Sequence, residues 1–175
     1  LPGIGNQMPS YDAGGDDRMT TDGAPSATSF TYDADGSTTQ AGVTTYTYDS
    51  LDRLTSVSAP SLTESFIYDG DGNKVSQTVN GTTTNYLVDT QNLTGYAQVL
   101  EEMDSTNTVN RVYTYGSSRI SQDQLIGGNW TLSFFGLDGQ GSVRYLTDIN
   151  GNITDTYDYD AFGTLVNQTH AGAPI

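Results

Sequence analysis

The side chains able to do chemistry are few in kind. Among 175 residues there is one histidine and no cysteine, and 21 Asp or Glu stand against 6 Lys or Arg, a formal net charge of −15. The acids recur in a pattern, Asp69-x-Asp71-x-Asn73, echoed by Asp33-x-Asp35-x-Ser37 and Asp148-x-Asn150-x-Asn152. Hard oxygen donors at alternate positions suit Ca²⁺, which makes Asp69, Asp71 and Asn73 the candidate metal ligands. The sixth position is Lys74 instead of glycine and the twelfth is Asn80 instead of a closing Glu. The same spacing serves a hairpin turn in which Asp or Asn accepts nearby backbone N–H groups, and that reading is preferred, with no metal and no cofactor expected. His170 sits beside Ala171-Gly172 near the end of the sequence, a poor place to hold an imidazole for oriented proton transfer, so no Ser-His-Asp triad and no catalytic residue is expected. Glu64, Glu101 and Glu102 are the only glutamates, and no carboxylate pair stands out as a glycosidase pair. Tyrosines could stack on sugar rings. Their placement next to turn after turn favours a ladder packed in a sheet, since a binding site uses few residues. Asn-x-Thr sequons at Asn80, Asn92, Asn129, Asn152 and Asn167 mark possible glycosylation at solvent-facing turns.

Composition narrows the classes further. The apolar set is 34% of residues and only 15% are charged; 26 residues are Thr, 20 Gly and 12 Tyr. Low hydrophobicity with high net charge leans toward disorder, but Thr and Tyr suit strands. No apolar run of about 18 residues exists, so no membrane span is expected. Six scattered cations form no basic stripe, and fifteen excess negatives repel phosphate, so no nucleic-acid partner is expected. Zero Cys excludes disulfide scaffolds and cysteine-ligated zinc and fits an exported protein. Leu1-Pro2-Gly3-Ile4-Gly5-Asn6 shows no signal peptide and no initiator Met, so a mature product or an excised piece is expected.

The elements that must position these residues are strands. Tyr-Asp recurs at Tyr32-Asp33, Tyr48-Asp49, Tyr68-Asp69, Tyr157-Asp158 and Tyr159-Asp160. Aromatic residues alternate ahead of these pairs, as at Tyr46 and Tyr48, Phe66 and Tyr68, Tyr113 and Tyr115, with Thr on the opposite face, the period of a half-buried strand. Asp35-Gly36, Asp71-Gly72, Asn80-Gly81, Asp138-Gly139 and Asn150-Gly151 supply the positive φ that tight hairpins require. The one helical alternative, residues 96–104, is short and reads better as a strand. The chain is expected to be all-β, with eight to twelve short strands in a curved, solenoid-like sheet of consecutive hairpins. Residues 1–26 read as an N-terminal arm, 27–167 as the repeat domain and 168–175 as a C-terminal tail.

The run Tyr46-Thr47-Tyr48-Asp49-Ser50-Leu51-Asp52-Arg53-Leu54-Thr55-Ser56-Val57 resembles the core unit of the Rhs/YD-repeat family, as does Phe66-Ile67-Tyr68-Asp69-Gly70-Asp71-Gly72-Asn73-Lys74-Val75. Gly136-Leu137-Asp138-Gly139-Gln140-Gly141-Ser142-Val143-Arg144 is similar to the family's Asp-x-x-Gly-Ser-x-Arg segment, and Tyr157-Asp158-Tyr159-Asp160-Ala161-Phe162-Gly163 to the ending of the Rhs-associated core. The resemblance covers about residues 27–166. It implies hairpins coiling into a strand spiral that in long members closes a hollow shell, as in bacterial polymorphic toxins, toxin-complex cocoons and teneurins. The sequence departs from that pattern after Phe162-Gly163: it runs to Gly172-Ala173-Pro174-Ile175 with neither a Gly-Leu-Tyr-Tyr segment nor an Asp-Pro cleavage motif.

Taken together these features lead to a non-enzymatic, extracellular or cell-surface structural protein, a portion of such a shell. Two alternatives stand beside it: a subunit of a self-assembling filament or tube built by strand addition, and a carbohydrate- or cell-surface-binding module. The expected partners are further copies of the chain or the rest of a longer YD-repeat polypeptide, with glycan possible.

Overall fold

A computed structural model describes residues 8–12, 16–23 and 27–170. The described residues contain strands and turns and no helix, as expected for an all-β chain. Fourteen of the strands follow one another in sequence order in an antiparallel sheet. The chain divides into two compact units after Thr83.

In the first unit β1 (Ser10–Tyr11) and β2 (Met19–Thr21) form a hairpin of their own. Then come β3 (Phe30–Tyr32), β4 (Thr38–Ala41), β5 (Thr44–Tyr48), β6 (Leu54–Ala59), β7 (Leu62–Tyr68) and β8 (Lys74–Val79), each antiparallel to the one before. The second unit holds β9 (Thr82–Asp89, whose first two residues belong to the first unit), β10 (Gln98–Met103), β11 (Val109–Tyr115), β12 (Arg119–Ile126), β13 (Asn129–Leu137), β14 (Val143–Thr147), β15 (Ile153–Tyr159) and β16 (Leu165–His170). The ambiguous run 96–104 contributes β10, a strand.

The strands outnumber the eight to twelve expected because some turns lack the glycine that marks them in sequence. Asp52 (φ 58°) and Asn107 (φ 64°) occupy the left-handed position that Gly36 and Gly72 fill elsewhere. Short polar side chains tolerate that conformation, so Asp and Asn substitute for glycine at little cost. Residues 168–170 complete β16; 1–7, 13–15 and 24–26 of the expected arm, and 171–175 of the expected tail, lie outside the described residues.

Alternation is plain in β5 and β7, where half-buried and exposed residues follow one another. Full burial is rare among the described residues: Tyr113, Leu146 and Tyr157 are the buried apolar residues there. Hydroxyl pairs stitch the Thr-rich face, with Thr31 to Thr39 at 2.9 Å, Thr47 to Thr55 at 2.9 Å, Thr78 to Thr83 at 2.9 Å and Thr156 to Thr169 at 2.7 Å. Cross-strand hydroxyl pairs of this kind each add a few tenths of a kcal/mol, up to about 1 kcal/mol. The abundance of Thr thus has a local structural use.

Candidate functional site

Four of the five Tyr-Asp pairs, all but Tyr157-Asp158, are turn devices, and three further aspartates share their geometry. At each of seven aspartates, Oδ1 accepts the backbone N–H groups two and four residues on. For Asp69 these are Asp71 N at 3.0 Å and Asn73 N at 2.8 Å; for Asp138, Gln140 N at 2.9 Å and Ser142 N at 3.0 Å. Asp33, Asp49, Asp104, Asp148 and Asp160 repeat the arrangement. The aspartate's own N–H donates to the carbonyl four residues later, as Asp69 N does to Asn73 O at 2.9 Å. Donors around the carboxylate favour its charged form. The hydrogen bond from the Arg53 side chain lowers the pKa of Asp49, and that from the Asn73 side chain lowers that of Asp69. Asp104, Asp138, Asp148 and Asp160 are lowered likewise, led by bonds from Thr106, Ser142, Asn152 and Thr164.

The preceding tyrosine ties the turn to an earlier strand. Tyr68 Oη donates to Leu54 O at 2.8 Å, Tyr48 Oη to Thr38 O at 2.9 Å, and Tyr32 Oη to Met19 O at 2.9 Å. Tyr115, which precedes Gly116 instead of Asp, reaches Val99 O at 2.9 Å in the same way. Where an arginine is present the clamp closes. Arg53 pairs with Asp49 Oδ2 at 2.7 Å, lies 4.9 Å from the Tyr68 ring centre and donates to Asp69 O at 3.3 Å. Arg144 repeats the theme with Asp138 (2.9 Å) and the Tyr159 ring (5.7 Å), beside a cleft of about 420 Å³.

The calcium candidates stand in one of these turns. Asn73 Nδ2 donates to Asp69 Oδ2 at 2.9 Å, so Asp69 spends both oxygens on N–H donors and Asn73 presents its donor end to the site. Among the described residues no group of three or more His, Asp or Glu is placed to share a metal ion. Of the sequon asparagines, Asn80 and Asn152 lie in turns, Asn129 opens β13 and Asn167 lies in β16, all four exposed; Asn92 is half-buried. Tyr157 and Asp158 lie within β15, ahead of the Tyr159-Asp160 turn.

Two constellations were not legible in the sequence. His170 Nδ1 meets Asp155 Oδ1 at 2.8 Å, with the Asp155 side chain 1% exposed and that of His170 29%. Asp155 also accepts from Thr154 Oγ1 at 2.7 Å, and the Tyr157 ring stands edge-on to the imidazole at 6.1 Å. A buried carboxylate on one imidazole nitrogen orients the ring and leaves the other nitrogen for proton transfer. The pairing arises because Asp155 and His170 are direct partners in the β15–β16 register. The reading of His170 as a residue with no rigid support is therefore corrected: the strand supplies what sequence position withheld. The second constellation joins Glu102, Arg111 and Tyr113. Tyr113 Oη donates to Glu102 Oε1 at 2.6 Å, and burial together with that bond pushes its pKa up to about 12. Arg111 reaches Tyr113 Oη at 3.2 Å. Their sequence separations follow neither repeat nor motif, so only strand register could have shown them.

Comparison with known proteins gives this geometry a context. The chain is 37% identical over 140 residues to a tRNA3(Ser)-specific nuclease WapA of Bacillus spizizenii. It is 36% identical over 138 residues to the tRNA nuclease WapA of Bacillus subtilis strain 168, and 37% over 138 residues to a tRNA(Glu)-specific nuclease WapA of Bacillus subtilis subsp. natto. Each match takes in 77% of this chain and 6% of the relative's length. No family model matches the chain.

These findings overturn several expectations. The assignment to the Rhs/YD-repeat family is not upheld, since no family model matches and the proteins that share the sequence are named as tRNA nucleases. The same names contradict a non-enzymatic structural, filament-forming or glycan-binding protein, and contradict the exclusion of nucleic acid as a partner. The physical reason lies in scale. Charge and motif arithmetic report on 175 residues, whereas the names describe proteins of which such a segment is 6%. An acidic segment sets no bound on the charge or chemistry of a longer polypeptide.

Proposed function

We propose that this chain works as part of a tRNA nuclease of the WapA kind. The observation that carries the reading is the 37% identity over 140 residues to a named tRNA nuclease, spread across 77% of the chain. The turn chemistry supports it as the work of one segment. Each Asp turn is satisfied locally, and each Tyr hydroxyl named above anchors a neighbouring hairpin, so the sheet gives a nuclease a pre-ordered support without drawing on other parts of the polypeptide. Right-handed strand twist, accumulated over consecutive antiparallel strands, would coil the sheet within each unit; small-angle scattering tests that curvature. Action outside the producing cell fits the absence of cysteine.

A second reading, favoured by the His170–Asp155 pair, places a catalytic group in the chain itself. An imidazole held by a buried carboxylate can take the proton from a ribose 2′-hydroxyl as that oxygen attacks the adjacent phosphorus and the 5′-oxygen leaves. One experiment separates the readings. Total tRNA is incubated with the polypeptide that carries this segment, with the 175-residue chain alone, and with its His170→Ala variant, and the products are resolved on denaturing gels. The first reading expects cleavage by the polypeptide and intact tRNA with the chain alone. Cleavage by the chain that His170→Ala abolishes replaces it with the second. Intact tRNA in every lane refutes both.

A further inference from the structure

One cleft of the second unit has chemistry that the fold leaves unused. It opens on one face of β11, β12 and β13, holds about 320 Å³ and is walled by Val112, Thr114, Ser121, Asp123, Trp130 and Leu132. Register explains its character. Asp123 is paired with Val112 on β11 and with Leu132 on β13, so a carboxylate stands between two aliphatic side chains. Its Oδ1 is buried and meets no hydrogen-bond donor among the described residues. A carboxylate oxygen buried in that way is destabilising, and the aliphatic neighbours offer nothing in return.

The chain has no cation to spare for it. Arg53, Arg111 and Arg144 pair with Asp49, Glu102 and Asp138, and Arg18 with Asp16. Arg119 lies over the Tyr113, Tyr115 and Phe135 rings, and Lys74 donates to Gln77. Trp130, 48% exposed, stands in the cleft wall. An indole face attracts a cation through its quadrupole, and more strongly than the other aromatic rings do.

We propose that this cleft binds an organic cation, an ammonium or guanidinium head on an apolar stem. The head pairs with Asp123 and sits against Trp130, while the stem lies along Val112 and Leu132. An anion is repelled by Asp123 and by the net charge of −15. A neutral polyol leaves the carboxylate uncompensated. A divalent metal ion favours several charged or carbonyl oxygen donors, and the side chains lining the cleft offer one carboxylate and the two neutral hydroxyls of Thr114 and Ser121.

Trp130 is the only tryptophan, so its fluorescence reports this cleft alone. The whole chain is titrated with n-butylammonium, with the capped peptide acetyl-Gly-Lys-Gly-amide, and with n-butanol as the neutral control. Saturable changes are expected with both cations, each competing with the other, and none with n-butanol. Asp123→Asn is expected to weaken binding by about tenfold or more, the loss of a charge-assisted contact, with a thermal melt no lower than that of the parent, because Oδ1 has no hydrogen bond to lose and a neutral amide is less costly to bury than a carboxylate. Peptide affinity at least about tenfold above that of the free amine assigns a polypeptide side chain as the natural source; equal affinity assigns a small molecule. Val112→Lys, which brings the chain's own ammonium beside Asp123, is the second variant and should abolish probe binding while raising the melting temperature. Absence of saturation, equal binding by n-butanol, or undiminished binding by Asp123→Asn or Val112→Lys overturns the proposal.

Discussion

Gly136 and Tyr145 offer a direct test of how this sheet keeps its rings in place. They are register partners on β13 and β14, and a methyl group built on Gly136 would fall inside the Tyr145 ring. The ring lies flat over a residue with no side chain, and Tyr145 is 40% exposed, so more than half of it is covered. A tyrosine buries on the order of 150–250 Å² when enclosed, so the covered part is roughly 100 Å², worth at most about 2.5 kcal/mol at ~25 cal/mol per Å². Gly136→Ala lifts the ring and forfeits much of that, while the lower chain entropy of Ala returns about 0.5–1 kcal/mol. The expected net cost is about 1–2 kcal/mol, read as a lower urea midpoint by circular dichroism. In a Tyr145→Ala background the same substitution meets no ring and should be neutral or stabilising by about 0.5 kcal/mol. The coupling between the two sites is then about 2 kcal/mol, well above the few tenths seen for independent positions. Equal costs in both backgrounds would refute the close approach.

Acid should loosen the turns. The pKa values of Asp49, Asp69, Asp104, Asp138, Asp148 and Asp160 are lowered in the folded chain, so the unfolded chain binds more protons in the window between the two sets of values. Their contribution is complete above the ordinary aspartate value near pH 4 and is lost as pH falls through the lowered ones; a urea midpoint that stays constant from pH 6 down to about pH 2.5 would contradict this. Tyr68→Phe removes the 2.8 Å bond to Leu54 O while keeping the ring under Arg53, and should cost about 0.5–1.5 kcal/mol in urea denaturation. A change within error would show that the hydroxyl is better served by water than by the strand.

The turn plan was legible because it is local. An aspartate that accepts N–H groups two and four residues ahead needs nothing outside a five-residue window, and the aromatic alternation before it needs only the two-residue period of a strand. Asp69, Asp138 and Asp148 could be placed in turns from spacing alone. Strand number was underestimated for the same reason, since Asp52 and Asn107 hide their turns behind residues that are not glycine. The function was not legible, because the tRNA nuclease names belong to proteins of which the matched segment is only 6%, and no side chain in this chain announces them.

What the residues determined by themselves was the repeated unit: strand, aspartate turn, returning strand, with Thr and Tyr on opposite faces. What only the tertiary structure decided was which residues meet across strands. His170 finds Asp155, Tyr113 finds Glu102, and Asp123 is left between Val112 and Leu132 without a partner. Those meetings hang on register, and a slip of one residue would send each side chain to the opposite face. Register is set by the bulges and turn lengths of a whole run of hairpins acting together, which no short window of sequence contains.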